Sequence, residues 1–161
     1  MQILDLALVK RHVQAAENVY VSTLNAEGYP VTRVMFNLHN AERFPKQAAF
    51  FAALNESFHI YLGTNAASSK VSQIRRTPRM SVYYHAQGSW QGMLVAGEAE
   101  VVSDMETRRG IWQDEWSVYY EGGIEGADYT IIRLRPAFAE YYHNLTKETL
   151  RLAEDERADR A

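Results

Sequence analysis

Val19-Tyr20-Val21-Ser22-Thr23-Leu24, then Asn25-Ala26-Glu27-Gly28-Tyr29-Pro30, then Val31-Thr32-Arg33-Val34-Met35-Phe36, is the stretch on which the fold turns. Two β-branched and aromatic runs flank a segment of turn chemistry, and the pattern reads as a β-hairpin. Upstream, Leu4, Leu8, Val13 and Ala16 recur at helical steps among charged residues, which predicts an amphipathic helix over 3–17. Downstream, 39–47 is a looser stretch, and 58–64 is an apolar run ending near a glycine, read as a further strand. Helical spacing returns over 67–77 and stops at Pro78, because the residue before a proline is pushed away from the α region. Residues 79–84 and 93–102 read as strands joined by a turn at 85–89, with Gly97 marking a bulge or a close backbone approach. Asp104 is placed to cap a helix over 105–113. Beyond a glycine-rich loop at 121–126, residues 130–136 and 138–143 read as two last strands separated by Pro136. The charged tail, 146–161, is expected to be helical or frayed. Six or seven short strands with few helices, and no repeat, point to an antiparallel barrel or sandwich.

Bulk composition narrows the setting. A chain of 161 residues, 47% hydrophobic and 23% charged, suits one globular domain spanning 1–161. Its net charge of −3 lacks the positive field of a nucleic-acid binder. The absence of cysteine excludes disulfides, thiolate nucleophiles, iron–sulfur clusters and Cys-type zinc sites. The longest apolar run, 48–54, is far short of a membrane helix, and the first residues do not read as a secretory signal, so the cytoplasm is the default expectation. Five histidines show no His-x-x-x-His or His-Glu-x-x-His spacing, and no metal site is expected.

The segment Thr64-Asn65-Ala66-Ala67-Ser68-Ser69-Lys70 carries the most chemistry. A strand ends in a hydroxyl, small residues let the chain turn, and two serines and a lysine open a helix. Amides without acceptors and the positive end of the dipole favour an anion there, with hydroxyl donors and a full charge added. This reads as a phosphate cradle; the plainer alternative is that Ser68 or Ser69 only caps the helix and Lys70 is solvated. Arg33 lies mid-strand among apolar residues, where it either points into water or meets an anion with its planar fork.

Four pieces of the chain, in order, resemble the pyridoxamine 5′-phosphate oxidase superfamily of FMN-binding split barrels. They are Gly28-x-Pro30-x-x-Arg33; Thr64-Asn65-x-x-Ser68-x-Lys70-x-x-Gln73-Ile74-x-x-x-Pro78; Ala96-Gly97-Glu98-Ala99-Glu100-Val101-Val102-Ser103; and Pro136-x-x-x-Glu140-Tyr141-Tyr142. The resemblance covers about residues 18–143, and Ile111-Trp112 with Tyr119-Tyr120-Glu121-Gly122-Gly123 looks like the general stress protein branch. It implies a mainly β fold with flanking helices, a six-stranded antiparallel split β-barrel that forms a homodimer with FMN between subunits. Carried over, Arg33 and Lys70 meet the FMN phosphate with Thr64, Ser68 and Ser69. The backbone of Val34, Met35 and Phe36 runs beside the flavin ring, and Tyr142 stands where the oxidases have a tryptophan.

The departures are equally specific. Where the oxidases carry basic residues this chain has Leu38, Ser69, Glu148, Leu150 and Leu152, and Gln91 is one position off their flavin-facing glutamine. The implied function is therefore an FMN-dependent oxidoreductase acting on an unidentified small molecule, not pyridoxamine 5′-phosphate. The alternatives are a flavin- or haem-binding carrier or stress protein without catalysis, and a deazaflavin-dependent reductase. Trp90, Trp112, Trp116, Tyr119 and Tyr120 are candidates for facing the flavin, against the commoner use of such clusters as core or interface.

Overall fold

A computed structural model describes residues 4–54 and 58–152. The hairpin forms as read: β1 (Asn18–Leu24) pairs antiparallel with β2 (Pro30–Phe36), and the Asn25 side chain accepts the Glu27 and Tyr29 amides across the turn. β3 (Ile60–Asn65), β4 (Arg79–His85), β5 (Gly92–Val102) and β6 (Tyr129–His143) complete one sheet in the order β2-β1-β4-β5-β6-β3. These six strands are the expected barrel. The sheet curls so that its ends, β2 and β3, approach each other without pairing, and the split lies between them.

Four helices dress the sheet. α1 (Leu6–Ala15) is capped by Asp5, whose carboxylate accepts the Leu8 amide, and it buries Leu8, Val9 and Val13 in the barrel interior with Val21, Ile60, Leu62, Val82, Val95 and Leu134. α3 (Ser69–Arg76) follows β3 directly. α4 (Met105–Ile111) begins at Asp104 as expected, the cap accepting the Thr107 amide at 2.8 Å. α2 (Pro45–Ala53) is not foreseen by the looser reading of 39–47; Pro45 at its first turn needs no amide partner there. A second apolar core lies outside the barrel, where Leu38, Tyr61, Ile111, Trp112, Trp116, Tyr129 and Ile131 pack together.

Three readings of the C-terminal third are corrected or completed. Residues 130–136 and 138–143 belong to one strand, since β6 runs unbroken through Pro136. Opposite Pro136 the β5 register shifts at Ala96/Gly97, and a Cβ on Gly97 would stand 2.0 Å from the Arg135 carbonyl oxygen, so glycine is required by the close approach. The tail is neither helical nor frayed over 146–151: β7 (Thr146–Arg151) pairs antiparallel with residues 138–143 of β6. Asn144 and Leu145, both at positive φ (47° and 62°), form its two-residue turn, a geometry that asparagine signals and leucine conceals. Residues 153–161 of the expected tail lie outside the described residues. β6 thus gives its first half to β3 and its second half to β7 along one edge.

Candidate functional site

The split between β2 and β3 opens into a cleft of about 390 Å³ lined by Asn18, Val34–Phe36, Leu38, Gly63–Asn65, Trp116, Tyr119 and Tyr120. Its floor comes from two strand ends. Its outer wall is aromatic, brought in by the 3-10 turn Asp114–Val118 that follows α4. Among the lining residues none is acidic or basic.

Thr64 joins this cleft to a cationic end. Its buried hydroxyl accepts from Lys70 Nζ at 2.9 Å and stands 3.5 Å from Ser68 Oγ. Ser68 occupies the N-cap position of α3, yet its side chain makes no capping hydrogen bond. The plainer reading of that serine, a cap and nothing more, is therefore not what the structure holds. The turn itself is fixed from elsewhere: Asn65 Oδ1 accepts the Ala67 amide at 2.8 Å, and the Asp128 carbonyl accepts the Ala66 amide at 2.7 Å.

Arg33 points inward, on the face of β2 that opposes buried Val21. Its guanidinium donates to Thr23 Oγ1 at 2.7 Å, to the Val21 carbonyl at 3.3 Å and to Gln73 Oε1 at 3.4 Å, while Thr23 also donates to Gln73 at 2.5 Å. Gln73 and Thr23 thus orient the arginine, a role that only the fold reveals because Thr23 and Gln73 lie fifty residues apart in the chain. Burial holds the Arg33 pKa below its ordinary value, and burial together with the nearby Arg33 charge lowers that of Lys70. Among the described residues neither cation has a carboxylate partner. Two half-buried cations facing neutral acceptors are a strained arrangement that an anion relieves, and a phosphate dianion matches the donors present.

The expected residues are brought together unevenly. Thr64, Ser68 and Lys70 meet beside the cleft, Arg33 faces Thr23 and Gln73 within electrostatic reach of Lys70, Ser69 opens α3 exposed, and Val34, Met35 and Phe36 line the cleft. Tyr142 is elsewhere in the chain's own fold: it lies opposite Gly92 near the far end of β6, whereas the cleft adjoins the end of β6 that pairs with Thr64. Leu150 on β7 and Leu152 just beyond it pack against the barrel core, Glu148 contacts His143 Nε2 at 2.8 Å, and Arg151 lies over the Phe138 ring at 5.7 Å.

The sequence profile described as pyridoxamine 5′-phosphate oxidase like matches residues 31–155. The chain belongs to this family. Among solved structures, this oxidase-like chain is similar to a protein related to general stress protein 26 of Bacillus subtilis, of the pyridoxinephosphate oxidase family, from Clostridium acetobutylicum. The two share 22% identity over 94% of this chain and 99% of that one, with a TM-score of 0.71. A heme binding protein from Mycobacterium smegmatis shares 17% identity over 94% of this chain and 60% of that one, at a TM-score of 0.63. A pyridoxamine 5′-phosphate oxidase-related, FMN binding protein from Nostoc punctiforme shares 12% identity over 91% and 94% of the two chains, at 0.53. At these identities what is shared is the split-barrel fold. No curated protein matches the chain. Among the described residues of this oxidase-like chain, no helix is long and apolar enough to cross a membrane, and no cluster of three potential metal ligands occurs.

Proposed function

We propose that this chain is a single split-barrel unit that binds FMN and acts, as a homodimer, as a flavin-dependent oxidoreductase on a small molecule other than pyridoxamine 5′-phosphate. The observation that carries the reading is the pair Arg33 and Lys70, both partly buried, each within the other's electrostatic reach, and neither with a carboxylate partner among the described residues. The phosphate is assigned to Arg33, Lys70, Thr64, Ser68 and Ser69, and the ring to the cleft along Val34, Met35 and Phe36. Bound FMN supplies the redox chemistry; the chain anchors, orients and shields it. Thr64, shared by the cradle and the cleft, sets where phosphate chemistry ends and ring packing begins.

The outer sheet face supports the homodimer. Val34, Tyr20, Tyr83 and Leu94 stand side by side across four strands, with Phe36 beside them, and Val34 is 59% and Phe36 48% exposed. A contiguous apolar face of this kind is the signature of an interface, and a second copy covers it isologously. Tyr142 is on the same face, which supports a role for it at the partner copy's cleft rather than at its own.

Pyridoxamine 5′-phosphate is disfavoured because its phosphate needs a second cationic pocket, and the residues at the corresponding places are Leu150 and Leu152, partly buried against the core, and Glu148. The deciding experiment is titration with FMN and with riboflavin, after any resident cofactor is released by heat and identified by mass. Tighter binding of FMN supports the cradle. Equal affinities, or release of haem or deazaflavin instead, overturn it.

A further inference from the structure

The chain has four lysines, and their surroundings differ. Lys46 Nζ donates to the Trp112 carbonyl at 2.5 Å, Lys147 Nζ pairs with the Glu140 carboxylate at 3.4 Å, and Lys10 Nζ lies over the Phe58 ring at 5.7 Å. A carbonyl, a carboxylate and a ring face each favour the ammonium, which is not nucleophilic. Lys70 is held differently. Its Nζ donates to a neutral hydroxyl, Thr64 Oγ1, at 2.9 Å, and it has no carboxylate partner among the described residues.

The groups around Lys70 combine two properties. Ser68 Oγ stands 3.5 Å from Thr64 Oγ1, so two hydroxyls lie beside the amine. Gln73, one turn further along α3, accepts from Arg33 at 3.4 Å and so holds that guanidinium towards the same helix. Burial, and after it the Arg33 charge, lower the Lys70 pKa. A lysine partly withdrawn from water beside a second cation keeps a larger share of free amine than a solvated one. The same two cations and two hydroxyls attract an anion with several oxygens. One place thus offers a nucleophile and a phosphate acceptor together. An acyl phosphate needs that combination, because its phosphoryl end is the anion and its acyl carbon, one bridging oxygen away, is the electrophile.

We propose that Lys70 is an acylation site: in the flavin-free chain a small acyl phosphate docks its phosphoryl group at Arg33 and Lys70 and passes its acyl group to Lys70 Nζ. The proposal rests on the anion-cradle part of the reading above and not on the flavin ring. The lone pair of the free amine forms the N–C bond, the C–O bond to the phosphate breaks with its electron pair going to the phosphate oxygen, and the released phosphate takes the amine proton. Nothing is oxidised or reduced. The resulting amide has lost the lysine charge and keeps one N–H where the ammonium had three. A chain acylated before it meets FMN has one cation fewer to hold the phosphate, whereas a chain already holding FMN keeps Lys70 covered.

The test incubates the full-length chain, freed of any cofactor, with acetyl phosphate and follows all four lysines by peptide mass mapping. Lys70 is expected to react many-fold faster than Lys10, Lys46 and Lys147. Inorganic phosphate and FMN are each expected to slow Lys70 and leave the other three unchanged, and FMN-binding capacity is expected to fall in proportion to the Lys70 acylated. Arg33→Ala is expected to slow acylation by acetyl phosphate several-fold and to change acylation by acetic anhydride, which has no phosphate to dock, far less. A Lys70 no faster than the other lysines, no protection by inorganic phosphate, or an Arg33→Ala variant slowed equally with both reagents overturns the proposal. If Arg33→Ala does not fold, phosphate protection of the wild type decides alone. FMN binding with an unreactive Lys70 overturns the acylation site and leaves the flavin reading standing; phosphate-sensitive acylation in a chain that does not bind FMN does the reverse.

Discussion

The two ends of the cleft are built by different means. At the cradle, polar side chains from β1, β2, β3 and α3 are held by hydrogen bonds between 2.5 and 3.5 Å long, and its two cations have no carboxylate partner among the described residues. At the aromatic wall, Trp116 and Tyr120 are held by packing on a second core assembled from β3, α4, β6 and the loop between β2 and α2, while Tyr119 stays exposed. Hydrogen bonds among polar side chains hold the cradle, whereas apolar packing holds the wall. That contrast separates the variants that should empty the site from those that should unfold its surroundings.

The largest expected effect is on the wall. Arg108, 7% exposed, donates to the carbonyls of Ile124, Gly126 and Tyr129 at 2.9, 2.7 and 2.7 Å and so ties the 120–129 loop to α4. Arg108→Ala leaves three carbonyls without their charged donor, an expected loss of about 3–4 kcal/mol of unfolding free energy in urea melts. If the melt is unchanged, the wall does not depend on that clamp.

Arg33→Ala and Lys70→Ala are expected to do the reverse. Each should weaken FMN binding roughly ten- to a hundredfold, the equivalent of a charge-assisted hydrogen bond of about 1.5–3 kcal/mol. Because its charged form is disfavoured by burial and by Arg33, replacing Lys70 with Met should raise the thermal midpoint of the ligand-free protein while FMN affinity falls. A fall in both would make Lys70 an ordinary structural lysine.

Acid should act on the wall side first. His39 is buried, stacks on Phe51 at 4.3 Å, and accepts the Tyr61 amide through Nε2 at 3.0 Å; burial holds its pKa at about 3 against an ordinary 6.5. Between those values the unfolded chain binds a proton that the folded chain refuses, so stability falls as pH falls, by about 1.4 kcal/mol per unit and about 2 kcal/mol by pH 5. His39→Gln should flatten that slope in urea melts at pH 7 and 5. An unflattened slope would move the acid sensitivity elsewhere. The smallest expected effect returns to the cradle: with no capping bond to lose, Ser68→Ala should leave stability within about 0.5 kcal/mol, below the usual N-cap loss. Its FMN affinity should still fall roughly two- to tenfold, as for one neutral hydrogen bond.

The same contrast explains what could be read from sequence. The hairpin, the strand–turn–helix at 58–77 and the cradle residues Thr64, Ser68 and Lys70 are local patterns, and each forms where expected. Gly97 announces its close approach because only glycine fits there. The wall was named only as an open choice between core and cofactor, since its position depends on packing between segments distant in sequence. β7 was hidden because its exposed positions are Thr146, Lys147, Thr149 and Arg151, which read as a solvated tail, and only Leu150 and Leu152 betray a buried side. The break foreseen at Pro136 failed to appear because at that point β6 changes partner on one edge, so the missing amide falls between the β3 and β7 ladders.

That change of partner also sets an order of events on the ribosome. β3 carries Thr64, yet its ladder is with Tyr129–Leu134, more than sixty residues later in the chain. Until that stretch has been synthesised, β3 has an open edge and the cleft has only one side, a pairing of the slow, non-local kind. A chain that stops short of β6 thus has every residue named for the proposed cradle but only one side of the cleft; if the finished chain binds FMN as proposed, that binding draws it out of the unfolded pool by mass action.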